Sequence, residues 1–248
     1  MGELATRADI DSLMDWWKLA GVDVAIDEAP THWLTAKSDT AKPVKPDRQV
    51  ETSRPAPVAV APADLPPSLN AFVAWFAKDI DVLSRYPVAR RIMPVDIPGI
   101  DLMVVADVPE AGDVEAGRLL SGDVGLLIDR MLGAMGHDRG SARLATIAPA
   151  RPANGRLDDT EQALLAPILR HHVELAAPRK LWLLGRAASR AVLGMDETEA
   201  AGRLHSVNQN GTIMDVIATV HPRILLREPK LKARVWEDMK RLIEGPTA

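Results

Sequence analysis

The chain has 248 residues, 47% of them hydrophobic and 26% charged, with a net charge of −4, a balance that suits a folded globular domain with one good-sized core and appendages. Cysteine is absent, which excludes disulfides, thiol catalysis, cysteine-ligated zinc and a thiolate-held iron–sulfur cluster. No apolar run approaches the roughly 20 residues that span a bilayer, and the first residues, with Glu3, Asp9, Asp11 and Asp15, lack the basic-then-apolar pattern of a signal peptide, so the expectation is a cytoplasmic protein with no membrane partner.

The first predicted element is an amphipathic helix over Asp9–Ala20, with Ile10, Leu13, Met14 and Trp17 on one stripe, Asp9 as N-cap and Gly21 just past the end. A helix this short is marginal alone in water, so residues 1–35 are expected to pack on something, and a protein partner is one candidate. From Ala36 to Ser68 seven prolines stand among small and polar residues, a composition that builds no core and predicts a flexible tether over 36–67. Ser68 then opens a second amphipathic helix, with Leu69, Phe72, Phe76, Ile80 and Leu83 on one stripe, ending before Tyr86-Pro87.

Beyond it the pattern alternates. Strands are predicted at Asp101–Val105, Arg143–Ala148, Lys180–Leu184 and Thr212–Val220. Helices are predicted at Gly122–Met135, at Asp158–Ala177 behind the capping box Asp158-x-x-Glu161, from Gly185 to Leu193, and at Lys230–Ile243. Strand alternating with helix predicts a three-layer α/β/α sandwich around a central four-stranded parallel sheet, occupying 68–248. Chemistry in such a fold sits in the loops at the carboxyl ends of the strands. Charge is distributed unevenly. Residues 218–241 carry seven bases against three acids, and the first 40 residues carry eight acids against three bases, so one face can meet phosphate while the whole stays acidic.

Three strand-end segments hold the candidate residues: Ala106-Asp107-Val108-Pro109-Glu110, Ala150-Arg151-Pro152-Ala153-Asn154-Gly155-Arg156, and His221-Pro222-Arg223-Ile224-Leu225-Leu226-Arg227. Their order and wording resemble the uracil-DNA glycosylase superfamily, specifically its bacterial iron–sulfur branch. The resemblance covers Leu102 to Glu244 well and Asp9–Pro30 more loosely. In that family the first loop reads Gly-Glu-Ala-Pro-Gly, and its acid helps place or activate the water that attacks C1′ of the deoxyribose. Asp107 holds that position, one methylene shorter, with both flanking glycines replaced. The same residue would also serve as a plain turn former at a strand end.

The resemblance implies further roles. His221 would donate to the uracil O2 and stabilise the leaving anion, which is electrostatic stabilisation of charge developing in the transition state. An aromatic ring that stacks on the flipped base corresponds to Leu120, within Gly117-Arg118-Leu119-Leu120-Ser121-Gly122, and Leu119 and Leu120 read more readily as core residues opening a helix. An asparagine that reads the uracil edge corresponds to Thr146, whose hydroxyl cannot present the matched donor and acceptor of an amide. Arg151, Arg156, Pro222, Arg223 and Arg227 fall in the loops that would face DNA. Two cluster-ligand positions are occupied by Ala150 and Leu165, so no cofactor is expected.

Other candidates are weak. His171 and His172 diverge by about 100° on a helix and cannot chelate together. Ser121, Ser189 and Ser206 lack a Gly-x-Ser-x-Gly setting, and Gly133-x-x-Gly136 and Gly117-x-x-x-x-Gly122 lack the Lys-Ser/Thr of a phosphate loop. The expected function is that of a uracil-DNA glycosylase-like protein of base-excision repair, degenerate and with weak or no base excision, acting on uracil-containing or single-stranded DNA. The alternative is a non-catalytic DNA-binding or protein-docking module on the same fold.

Overall fold

The computed structural model describes residues 65–78, 80–94, 99–209 and 212–245. The predicted helix at Asp9–Ala20 and the predicted tether up to residue 64 lie outside the described residues. Leu65, near the end of the Pro-rich stretch, is buried in the core, and the Pro66 carbonyl lies 2.7 Å from His171 Nε2.

Helix α1, Leu69–Phe76, starts where Ser68 accepts a hydrogen bond from the Ala71 N–H. The sequence pattern continues to Leu83, but the helix stops at Phe76. The Arg91 guanidinium supplies the reason, because it donates to the carbonyls of Phe76, Lys78, Leu83 and Tyr86 and so satisfies acceptors that a continued helix would have used. The apolar stripe survives this break, since Phe72, Phe76 and Leu83 are all buried.

The remaining elements follow the predicted alternation. Strand β1 is Leu102–Ala106, followed by a one-turn helix α2, Asp113–Ala116, and by α3, Gly122–Ala134. Next come β2, Ala142–Thr146, and α4, Asp159–Ala176, opened by Asp158 and Glu161 in a complete capping box. Then come β3, Lys180–Leu184, α5, Arg186–Leu193, and a short α6, Glu197–Ala200. The last four are β4, His205–Gln209, β5, Thr212–Thr219, α7, Pro222–Arg227, and α8, Lys232–Glu244.

The sheet order is β2-β1-β3-β5-β4. The first four strands are parallel, as predicted, and β4 adds an antiparallel fifth on the edge beside β5. Period-two alternation sends successive side chains to opposite faces. On one face Met103, Val105, Leu181, Leu183, Val216 and Ala218 pack against α1, α4 and α5. On the other, Leu102, Val104, Ala106, Trp182, Leu184 and Ile217 pack against α3, α7 and α8. Both faces are covered, which is why β1 reads as an unbroken apolar run. The chain passes from β1 outward to β2 and then back across β1 to β3, so the winding reverses there, and a crevice opens at the carboxyl ends of the central strands. No described helix is long and apolar enough to cross a membrane.

Candidate active site at the strand ends

Asp107 follows β1, Gly185 follows β3 and His221 follows β5, so three neighbouring strands deliver their loops to one place. Gly185 has φ +87°, and a Cβ there would lie 3.4 Å from the His221 Cβ. Its N–H donates to the Thr219 carbonyl at 2.7 Å. Glycine thus satisfies a left-handed backbone and a tight approach together, holding the β5 end against β3. Below it, the buried Trp182 indole donates to Thr219 Oγ1 at 2.8 Å.

His221 is the N-cap of α7, with Pro222 in the first turn, where its fixed φ suits a helix start and its missing N–H costs nothing. Its Nδ1 accepts from the Arg223 backbone N–H at 3.2 Å. With Nδ1 accepting, the ring proton of the neutral form sits on Nε2. Burial pulls the histidine down to about 4, the Arg223 and Arg151 guanidinium groups add to that, and Asp107 opposes it. At neutral pH His221 is therefore an uncharged donor, its Nε2 lying 3.7 Å from Asp107 Oδ1.

Arg223 fills the space around them. Its Nη2 donates to Asp107 Oδ1 at 2.7 Å and its Nε to Glu110 Oε1 at 2.6 Å, while Nη2 also approaches His221 Nε2 to 3.3 Å. That last approach sets two donors face to face and is not a hydrogen bond. Asp107 Oδ1 accepts in addition from the Val108 N–H at 2.8 Å. Arg151 reaches the first loop from another side, its Nη1 donating to the Pro109 carbonyl at 2.7 Å. Asp107, His221, Arg151 and Arg223 are thus brought together. Glu110, treated in the sequence only as a lost glycine, completes the group; it lies 113 residues from Arg223 along the chain, and no local pattern joins the two.

The other candidates stand apart. Pro222 is buried and serves the helix start. Arg156 and Arg227 are exposed, and Arg227 lines an open groove of about 380 Å³ with Glu110, Ser121, Arg223 and Leu226. Leu120 is only 1% exposed and packs with Val124, Ile128 and Leu132, so it offers no face to a base. Thr146 ends β2 opposite Ala106, and its hydroxyl donates to the Ala148 carbonyl at 2.7 Å. That commitment leaves Thr146 only its acceptor lone pairs.

Leu120 holds a left-handed backbone, φ +52°, which costs roughly 1–2 kcal/mol for a residue with a Cβ. Its surroundings enforce it. The buried Asp113 carboxylate accepts from the N–H groups of Glu110, Leu120 and Ser121 and from Ser121 Oγ. Arg139 donates to the carbonyls of Leu119 and Leu120. No motif in the sequence singles these residues out: Asp113 ties backbone positions 3 to 8 residues away in an irregular loop, and Arg139 reaches back 19 and 20 residues.

The cluster positions can be judged in the same way. Ala150 and Leu165 are buried in one apolar group with Leu83 and Tyr86. With no cysteine in the chain, these residues do not fit an iron–sulfur cluster.

Fold and site together define an α/β protein with acid and histidine loops at the switch point of a parallel sheet. A sequence-family model described as the Uracil DNA glycosylase superfamily matches residues 95–240, more than half of the chain, and the chain belongs to that superfamily. It is similar to type-4 uracil-DNA glycosylases of three organisms. It is 26% identical to that of Pyrobaculum aerophilum over 59% of this chain and 78% of the relative. The figures are 25% over 60% and 80% for Archaeoglobus fulgidus, and 24% over 59% and 70% for Sulfurisphaera tokodaii.

Proposed function

We propose that this protein is a degenerate uracil-DNA glycosylase that engages uracil-containing or single-stranded DNA and excises its base weakly or not at all. The single observation that carries this reading is the ion pair between Asp107 and Arg223, 2.7 Å apart and itself tied to Glu110. A carboxylate that activates water needs an oxygen free to accept from that water, and Asp107 Oδ1 already accepts from the Arg223 guanidinium and from the Val108 N–H. Cleavage of an N-glycosidic bond also builds positive charge on the sugar, which a neighbouring Arg⁺ opposes. Burial of Leu120 and the committed hydroxyl of Thr146 point the same way, because each removes one means of gripping a flipped base.

DNA as the partner is supported by membership of the superfamily, by the relatives' names and by the arginines around the cleft. Residues 1–35 are proposed as a docking segment and the residues from 36 up to Leu65, which is buried in the core, as its tether. The test incubates the purified full chain with a single-stranded oligonucleotide carrying one deoxyuridine, scoring retention on the oligonucleotide and release of uracil in the same samples. Binding with little or no release is the expected result. Rapid stoichiometric turnover would refute the degenerate reading, and absence of binding even at low salt would refute the DNA reading in favour of a protein-docking module.

A further inference from the structure

We infer that Arg223 is the activity-determining residue of this cleft, its guanidinium held on Glu110 so that it keeps Asp107 and His221 from acting on a nucleotide. The inference rests on the reading of Asp107 and His221 as the reacting pair and names what silences them. Three distances carry it: Nη2 is 2.7 Å from Asp107 Oδ1 and 3.3 Å from His221 Nε2, and Nε is 2.6 Å from Glu110 Oε1. The acid and the ring nitrogen are themselves 3.7 Å apart. A nitrogen in contact with both leaves no room for a water on Asp107 Oδ1 or for a base carbonyl in line with Nε2–H.

One departure from the family wording meets Arg223 in this contact. Glu110 stands where the first loop has its closing glycine, and Arg223 follows the His-Pro pair. They are 113 residues apart in sequence and joined by a hydrogen-bonded ion pair in the fold. A half-buried guanidinium shared between two carboxylates is held in a fixed place rather than left to sample solvent.

With the guanidinium removed, the chemistry open to the pair is a hydrolysis. A water oxygen bonds to C1′ as the C1′–N bond breaks, and the electron pair leaves with the base. The water's proton passes to Asp107, and the base anion accepts from His221 Nε2–H until solvent protonates it. Arg223 blocks by occupying Asp107 Oδ1 and the approach to His221 Nε2, so an uncharged side chain too short to reach both should relieve the block, and a lysine, a cation still long enough to reach Asp107, should maintain it.

The experiment compares Arg223→Ser, Arg223→Gln and Arg223→Lys in the full chain, using uracil release from single-stranded deoxyuridine oligonucleotide at neutral pH. Both neutral variants are expected to gain at least tenfold over the wild type, with Arg223→Lys remaining at the wild-type level and Asp107→Asn abolishing the gain. A second readout is the NMR titration of His221, whose midpoint should rise from about 4 in Arg223→Gln and stay there in Arg223→Lys, which keeps the charge; a merely structural role for Arg223 would expose the ring and raise the midpoint in the lysine variant as well. The inference is overturned by silence of both neutral variants while folded, by a gain that survives Asp107→Asn, or by loss of the cooperative unfolding transition in both, which would make Arg223 a strut. A wild type that binds DNA alongside silent variants refutes only this inference, and a wild type that does not bind refutes the functional reading.

Discussion

At the scale of single residues, the loop before α3 shows how a sequence can look permissive and be tightly constrained. Gly125 has ordinary helical company, yet a Cβ there would sit 2.1 Å from the Leu120 carbonyl oxygen and 3.1 Å from Arg139 Nη2. Backbone cannot step aside as a side-chain tip can, so Gly125→Ala should destabilise the fold by about 1–3 kcal/mol, as other overpacked sites do. Gly133, in the same helix, meets nothing within 4 Å, and Gly133→Ala should stabilise by roughly 0.5–1 kcal/mol. Opposite shifts of the urea midpoint in the two variants check the pair, and equal shifts would contradict the geometry. The meeting of Asp107 and His221 was legible because each sits in a strand-end loop of a parallel sheet, and the fold brings those loops together. The Glu110–Arg223 pair was not, since a contact between residues 113 apart follows from strand order rather than from local pattern. Leu120 was legible as a core residue and the structure places it in the core, with a left-handed backbone that no local rule assigns to leucine.

At the scale of elements, β1 and β3 were legible as apolar runs because both faces of the central strands are covered, and β2 and β5 were legible from the alternation of strand with helix. The edge strand β4 was missed, being short and polar, His205-Ser206-Val207-Asn208-Gln209. The Asn210-Gly211 dipeptide in the sequence was its available hairpin signal. Helix α7 was read as a loop although Pro222 marks a helix start. The early end of α1 was not legible, because it depends on Arg91 reaching back over 15 residues to the Phe76 carbonyl. One guanidinium on four carbonyls straps residues 76–91, and the Tyr86 hydroxyl ties the same stretch to Glu161 on α4. Leu83 and Tyr86 of that stretch share one buried apolar group with Ala150 and Leu165. Arg91→Met should therefore cost on the order of 3 kcal/mol or more, since buried carbonyls lose their donor, and should raise hydrogen exchange first in residues 76–91. The purified wild type should show no iron-dependent visible absorption and no stoichiometric iron by elemental analysis, because no thiolate is available to hold it.

At the scale of the whole molecule, charge governs both partner and pH response. A net charge of −4 does not favour DNA, so binding must come from the local arginines. Replacing exposed Arg156 or Arg227 with alanine should lower the slope of log K against log salt by about 0.7 per contact on single strands. Arg223, already committed to Asp107 and Glu110, should contribute none. The pH dependence of stability follows from two buried histidines. Burial is the main cause of depression in both, taking His172 to about 3 and His221 to about 4. The unfolded chain takes up these protons as pH falls past about 6.5, whereas the folded chain does not until about 4 or below, so the stability they confer is present above 6.5 and lost on acidification between those limits. Near pH 5 the two together should give a slope of about 2.7 kcal/mol per pH unit. Asp238, whose carboxyl burial raises, works in the opposite direction and flattens the acid end. His172 Nε2 has no hydrogen-bond partner among the described residues, and the ring stacks on Phe72 at 5.0 Å, so His172→Phe removes the titration while keeping the aromatic contact. Urea unfolding from pH 5 to 6.5 should show the slope roughly halved in that variant. An unchanged slope would mean that His172 takes up its proton in the folded state as readily as in the unfolded chain, and the acid sensitivity would then belong to His221.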